Sequence, residues 1–184
     1  MRIFPLIGLT LILGSSTISL ATDIHAQDLP LSENNTFFTG QPPSLTSASS
    51  VFTNINVPDV PYLFTINLPK NSVESLGKVT VEPNESSAAI DFQLDQTKGF
   101  QGTENNRGKA LTLKSVTQDS QTKAISVVFE PPIPPGTNFT ISLIAAQNPS
   151  IAGTYLFTVK AFPSGNNPTG IDLGVGTFRI YEDR

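Results

Sequence analysis

Apolar residues recur at every second position from Tyr62 onward, in short runs separated by polar and turn-forming residues. A period of two is typical of a β-strand with one buried face, because successive side chains of a strand point to opposite faces. No stretch keeps the 3.6-residue period of a helix. The pattern predicts about eight strands, at residues 62–68, 79–81, 90–94, 111–113, 125–129, 139–143, 155–161 and 178–180.

The segments between these runs carry turn chemistry. The Pro-Pro-Gly triplet 134–136 fits a type II turn, in which the glycine supplies a positive φ, and residues 119–122 suit a hairpin loop. Short strands joined by such turns predict an all-β fold, an immunoglobulin-like antiparallel β-sandwich of about 7–9 strands. Residues 153–157 are similar to the tyrosine-corner strand of such domains, with Phe157 at the cysteine position. The alternative is that Tyr155 is an ordinary core aromatic.

Residues 1–26 have the composition of a secretory signal peptide. Arg2 precedes an apolar run at residues 3–13, and small residues follow, which is the order of a charged region, an apolar region and a cleavage site. Cleavage is predicted after Ala21 or Ala26, and the alternative is an uncleaved anchor. The apolar run is shorter than the roughly 20 residues of a membrane-spanning helix. We therefore expect an exported protein, in the periplasm, at the cell surface or outside the cell, with no transmembrane segment after cleavage.

The rest of the chain divides into two parts. Residues 27–57 are rich in Asn, Pro and Ser, and they are predicted to form a polar N-terminal arm or linker with at most an edge strand near residues 51–57. Residues 58–184 are predicted to form the β-sandwich domain. A domain of this size buries enough surface to fold without disulfides, in agreement with the absence of Cys.

The amino-acid composition limits the kinds of catalytic and metal-binding site that the chain can form. The only His and the only Met are His25 and Met1, and there is no Cys or Trp, so cleavage after Ala26 leaves none of these four types. Triad-type sites need an imidazole base, zinc sites draw on His and Cys, and copper sites draw on His and Met. We therefore expect no enzyme of these classes, no catalytic residue, no metal site and no cofactor. The net charge of −4 argues against nucleic acid and anionic membranes as partners.

Three functions remain open. The first is a non-catalytic envelope or extracellular protein with a binding or structural role and an unknown partner. The second is a carboxylate-dependent carbohydrate-active or hydrolytic enzyme, for which Asp91 and Asp95 lie on the polar face of one predicted strand. Solvated surface charges also explain this pair. The third is a calcium-stabilised adhesion module, with oxygen ligands from residues 104–106 or from Asp119.

Residues 97–109 form the best candidate for an interaction site. They are predicted to be a long loop, and long loops on rigid β-scaffolds often bind partners. The alternative is a connection between sheets with its aromatic ring in the core. The candidate interaction residues are Phe100, Glu104, Asn105, Asn106 and Arg107.

Several short segments together carry a family resemblance. They lie at residues 97–102, 108–109, 129–137, 148–149, 153–157, 161–163 and 173–176. Over residues 58–181 the chain resembles a cyanobacterial family of secreted proteins known only as a domain of unknown function. The resemblance implies an exported cyanobacterial protein and brings no established activity. A fainter likeness, through Pro-Gly-Thr at 135–137, is to CopC-type periplasmic β-sandwich proteins, whose copper-binding His residues the cleaved chain lacks.

Overall fold

The computed structural model describes residues 34–182, which form ten β-strands and one 3-10 turn (Leu94–Gln96). The strands are β1 (Ser44–Ser49), β2 (Pro58–Leu68), β3 (Leu76–Pro83), β4 (Lys98–Thr103), β5 (Asn106–Leu111), β6 (Leu113–Gln118), β7 (Ile125–Ile133), β8 (Thr137–Gln147), β9 (Gly153–Pro163) and β10 (Ile171–Ile180). The first sheet has the order β1-β2-β8-β4-β5 and the second β10-β9-β3-β7-β6. No helix in this part of the chain is long and apolar enough to cross a membrane.

The inner faces of the two sheets enclose one apolar core. On β2, Tyr62, Phe64 and Ile66 are fully buried in this core, because alternate residues of a strand share a face. Five aromatic rings meet there with centroids 4.6 to 6.0 Å apart, and each such pair adds about 0.5–1.5 kcal/mol beyond its burial. These rings belong to Tyr62, Phe64, Phe92, Phe157 and Phe178.

The strand order follows that of an immunoglobulin sandwich. In constant-type domains, strands A, B, E and D form one sheet and C, F and G the other. Here β1-β2-β8-β4 and β3-β9-β10 have the corresponding orders, and β5, β6 and β7 are inserted between β4 and β8 in the chain. The prediction of an all-β antiparallel sandwich is confirmed.

The predicted number of about 7–9 strands is too low, because the structure has ten. The predicted strand at 90–94 is wrong: Phe92 makes one isolated bridge with Ala145, and the 3-10 turn follows. The period of two misses β1, β4 and β5. These strands lie at or next to the edges of the first sheet, and β5 is exposed along almost its whole length. A strand without a continuous buried face leaves no apolar alternation in the sequence.

The polar segment before β2 contributes an edge strand of the first sheet. β1 pairs antiparallel with β2, so this strand lies at Ser44–Ser49 and not near residues 51–57. Of its six residues, Leu45 and Ala48 pack against the core. The predicted signal peptide and both cleavage sites lie outside the described residues, and the division at residue 57 stays a prediction.

A carboxylate holds the chain upstream of β1 against the end of the sandwich. Thr39 donates its backbone N–H and its hydroxyl to the two carboxylate oxygens of Glu74, at 2.6 and 2.7 Å. These two hydrogen bonds lower the pKa of Glu74. In return, the N–H of Val73 donates to the carbonyl of Thr39 at 3.2 Å. The segment therefore docks through these polar contacts and through Phe38, which packs against the core.

The predicted turns have the expected chemistry. Gly136 has a φ of 81°, and the Asp119 carboxylate accepts the N–H of Thr122 at 2.8 Å in the hairpin between β6 and β7. Backbone hydrogen bonds, that of Thr122 first, lower the pKa of Asp119. The hydroxyl of Tyr155, at the start of β9, donates to the carbonyl of Ile151 at 2.7 Å. This upstream bond is that of a tyrosine corner, so Tyr155 is more than a core aromatic.

Candidate binding groove on the outer face of the first sheet

The predicted interaction loop is a β-hairpin beside the edge of the first sheet. Phe100 lies in β4, Glu104 and Asn105 form the turn, and Asn106 and Arg107 begin β5. The prediction of a long loop is therefore wrong in its local structure. The segment is mostly polar on both of its faces, which hides its strand pairing from a search for apolar alternation. The role of these five residues in binding stays a prediction.

Gly102 turns this hairpin over the outer face of the sheet. Its φ is 87°, and a side chain at this position would collide with the carbonyl oxygen of Asn106. Glycine is the residue that takes a positive φ without a steric penalty. The pairing register of β4 and β5 shifts between Phe100 and Gly102, as at a β-bulge, which bends and twists a strand.

A chain of hydroxyl groups fixes the bent hairpin to the sheet. Thr140 of β8 donates its hydroxyl to the carbonyl of Gly102 at 2.8 Å. Because a hydroxyl carries one proton, Thr65 of β2 is the donor in its 2.9 Å bond with Thr140. Thr46 of β1 donates to the carbonyl of Thr65 at 3.1 Å. The outer face is thus joined across β1, β2, β8 and β4 by directed hydrogen bonds.

Phe100 is buried on this outer face and not between the sheets. It pairs with Thr140 in the register of β4 and β8, is 7% exposed and has no place in the inter-sheet cluster. The guanidinium carbon of Arg107 lies 4.8 Å from the ring centroid, a cation–π contact worth about 0.5–1 kcal/mol at an exposed site. The Nε of Arg107 donates to the carbonyl of Glu104 at 3.3 Å. The Phe100 ring therefore anchors the hairpin, and the alternative that it enters the core is wrong.

A groove of about 580 Å³ lies on this face beside the hairpin turn. We refer to it as the outer-face groove. All its lining residues are polar, one of them is a carboxylate, and none is cationic. They are Thr46, Ser47, Ser49, Thr65, Asn67, Thr103, Glu104, Asn105 and Asn138.

Three amides in the outer-face groove are free to bind a ligand. The side chains of Asn67, Asn105 and Asn138 make no hydrogen bond within residues 34–182. Asn67 and Asn138 lie opposite each other in the register of β2 and β8. Each amide offers two N–H donors and one carbonyl acceptor. The groove can therefore both donate to and accept from a polar ligand.

Sequence reasoning found Glu104 and Asn105 of this groove and missed the strand residues. Asn67 and Asn138 occupy polar positions between apolar ones, as in any half-buried strand. One signal was available: a solvated outer face normally carries charges, whereas the outward positions at this end of β2 and β8 hold only Thr and Asn.

A second groove, of about 430 Å³, adjoins Asn148 and Tyr155. The Asn148 side chain accepts the hydroxyl of Tyr62 at 2.9 Å and donates to the carbonyls of Phe52 and Asn54 at 3.0 and 2.8 Å. Burial, and after it the nearby Tyr155, raise the pKa of Tyr62, so its hydroxyl keeps its proton. Because the buried amide of Asn148 already accepts one hydrogen bond and donates two, its role is to hold the loop before β2.

The carboxylates give little support to the catalytic and calcium hypotheses. Asp91 and Asp95 do not share a strand, and they line different grooves. Glycosidases need two carboxylates across one site, and the outer-face groove has only Glu104. The Asp119 carboxylate is occupied by its own turn. Within residues 34–182, no three His, Cys, Asp or Glu side chains are grouped so that they could hold a metal ion.

Several known structures resemble this chain at low sequence identity. The N-terminal domain of the Streptococcus gordonii adhesin Sgo0707 is 15% identical with a TM-score of 0.50, over 76% of this chain and 32% of that one. BslA, a bacterial hydrophobin, is 15% identical with a TM-score of 0.49, over 79% and 98%. ACE19, the collagen-binding subdomain of an Enterococcus faecalis surface protein, is 11% identical with a TM-score of 0.43, over 79% and 96%. The adhesin likeness concerns the fold alone.

No curated protein matches the chain. A family model does match residues 35–180, and its description is "Protein of unknown function (DUF2808)". The match begins before β1, so it includes the edge strand that the sequence pattern misses. The expected membership in a family of unknown function is confirmed, and the cyanobacterial source and the CopC likeness stay predictions. The chain belongs to the DUF2808 family.

Proposed function

We propose that this protein is a non-catalytic, exported binding module and that its outer-face groove holds a neutral polysaccharide of the cell envelope or its surroundings. The observation that carries the proposal is the composition of the groove: nine lining residues, all of them polar. The fold does not decide between binding and catalysis, because function resides in sites and not in folds.

The chemistry of the groove favours sugars over other polymers. Hydroxyl and amide groups match the donors and acceptors of sugar hydroxyls. Nucleic acids call for cationic side chains, and the groove has none. A peptide would need apolar pockets for its alternate side chains, which are absent from this lining. Glu104 adds one negative charge and so disfavours acidic polysaccharides.

The lone carboxylate also favours binding over hydrolysis. Hydrolysis of a glycosidic bond uses an acid and a second carboxylate, about 5–10 Å apart, as base or nucleophile. The outer-face groove supplies only Glu104. A bound polysaccharide is therefore expected to leave the groove intact.

Affinity electrophoresis tests the proposal. The purified chain is run in native gels containing a neutral glucan, mannan or xylan, and we expect at least one of them to retard it. The double change Asn67→Ala and Asn138→Ala removes two free amides from the groove. We expect it to weaken retardation by about tenfold in apparent affinity, the equivalent of about 1.4 kcal/mol.

Asn166→Ala is the matched control, because Asn166 is exposed in the connection between β9 and β10. If Asn166→Ala weakened the retardation as much as the double change does, the effect would be a general one on gel mobility. Absence of retardation by all three polysaccharides, or full retardation of the double variant, would refute the proposal. Release of reducing ends from a bound polysaccharide would refute its non-catalytic part.

A further inference from the structure

One side of the sandwich has a free backbone edge that runs from one sheet to the other. β5 is the outermost strand of the first sheet and β6 of the second, and neither pairs with a further strand among the described residues. Only Thr112 separates them. The outward N–H and C=O groups of β5 and β6 are therefore unpaired among the described residues, whereas the carbonyl of Thr112 between them accepts the N–H of Glu130. Such an edge is a template for another strand.

The opposite side of the sandwich is closed. There β1 and β10 approach each other so closely that a Cβ added to Gly176 would lie 2.9 Å from the Cβ of Ala48 and 3.0 Å from the ring of Phe64. An isolated bridge between Asn54 and Tyr181 joins the two sheets at this side. The two sides thus differ in their capacity to accept a further strand.

The free edge is basic in a chain of net charge −4. Residues 106–118 contain Arg107, Lys109 and Lys114 and no acidic residue. Lys114 lies 3.1 Å from Glu130, with both side chains 60% exposed, so solvent screens this pair. Lys109 makes no ion pair with the described residues. Charge complementarity therefore favours an acidic partner.

Two shallow grooves flank this edge, with volumes of about 320 and 390 Å³. They share Thr97 and Leu113, and partly buried Leu111 and Val116 line their apolar parts. The Oγ1 atom of Thr97 is buried and has no hydrogen-bond partner in the described part of the chain. An unsatisfied buried hydroxyl is costly.

We propose that the β5–β6 edge is a docking site for an extended, acidic segment of another protein, which adds to the sandwich as a further strand. Backbone hydrogen bonds to the free edge would supply affinity. Acidic side chains would face Arg107 and Lys109, and small apolar ones would enter the grooves at Leu111 and Leu113. This site is separate from the outer-face groove and does not depend on the proposed binding of polysaccharide.

The test uses a fluorescein-labelled ten-residue peptide of alternating Glu and Val, with fluorescence anisotropy as the measurement. We expect saturable binding to the purified chain and none of the Lys–Val counterpart. Lys109→Glu should raise the Kd about tenfold or more. Arg179→Glu, the same reversal on β10 at the closed side, should leave the Kd unchanged.

A second probe separates strand addition from plain charge attraction. The Glu–Val peptide is N-methylated on two adjacent central residues, which removes one N–H from each of its edges. We expect this probe not to bind. Binding of the N-methylated probe, equal binding of the Lys–Val peptide, or an unchanged Kd in Lys109→Glu would each overturn the proposal.

Discussion

The two faces of β2 and β8 are both buried, by different chemistry. The inner face is apolar and aromatic, as at Phe64, whereas the outer face holds Thr65 and Thr140, which are 6% and 0% exposed. Inside, dispersion and the removal of apolar surface from water stabilise the fold. Outside, buried hydroxyls are satisfied by one another and by the Gly102 carbonyl. A buried residue of these strands therefore does not always belong to the apolar core. The inner face stabilises the fold, and the outer face shapes the groove.

Phe64→Ala should have the largest effect on stability, because it removes a fully buried ring that packs against Phe157 and Phe178. We expect a loss of about 3–5 kcal/mol in the free energy of unfolding, measured by urea denaturation. Phe37→Ala is the control, since Phe37 is 52% exposed and its loss should cost less than about 0.5 kcal/mol. An equal cost for the two changes would break the distinction between core and surface.

Thr140→Val keeps the side-chain shape and should have an intermediate effect. The change leaves the Thr65 hydroxyl without its acceptor and the Gly102 carbonyl without its donor, at a cost of about 1–3 kcal/mol. We expect the substitution to raise the rate of amide hydrogen exchange in the hairpin of β4 and β5 and to leave the rate in β9 unchanged, because Thr140 makes no contact with β9.

Thr177→Val is the matched control for this outer-face change, because Thr177 is an exposed residue of β10. It should alter neither stability nor exchange. If Thr140→Val speeds exchange equally in β9 and in the hairpin, then the outer face supports the whole fold and not the groove in particular.

Glu74→Gln should have the smallest effect on stability, present at neutral pH and lost in acid, where the Glu74 carboxylate of the unchanged protein becomes protonated as well. Hydrogen bonds from Thr39 lower the pKa of Glu74 below its usual 4.5, so the unfolded chain takes up a proton more readily than the folded one. The stability that this carboxylate adds is present above pH 4.5 or so and is lost as the pH falls through the folded-state pKa. We expect the variant to show a shallower fall in urea midpoint between neutral pH and acid.

Glu85→Gln serves as the control, because the Glu85 side chain makes no hydrogen bond within residues 34–182. It should keep the pH dependence of the unchanged protein. In the unchanged protein, the rate of amide hydrogen exchange at residues 34–43 should rise in acid relative to the rate in β2. An identical pH dependence in both variants would contradict the proposed role of the Glu74–Thr39 contact.

The hydrophobic period found the strands that bury a continuous face. It located parts of β2, β7, β8 and β9, because their inner residues alternate with polar ones. It missed β1, β4 and β5 and predicted a strand at residues 90–94 that the structure does not have. Edge strands are held by backbone hydrogen bonds, which are independent of side-chain type, and these leave no trace in the pattern.

Only part of the outer-face groove could be predicted from the sequence. The hairpin residues Glu104 and Asn105 stood out because they interrupt the alternation. Asn67 and Asn138 sit inside alternating strands, so nothing in their local context separated them from other surface positions. Their pairing across β2 and β8 joins residues 71 positions apart. The two side chains come together only when these strands pair in the folded sheet.

The sequence by itself determined the fold class and the turns, and it indicated a tyrosine corner that the hydrogen bond of the Tyr155 hydroxyl then confirmed. Each of these depends on local chemistry: a period of two, a glycine with positive φ, an Asp at a hairpin, a Tyr at the start of a strand. The tertiary structure alone decided that the outer face of the first sheet is a polar groove and that β5 and β6 share a free edge. Both depend on which strands lie side by side, and strand order follows from long-range packing and not from any single segment.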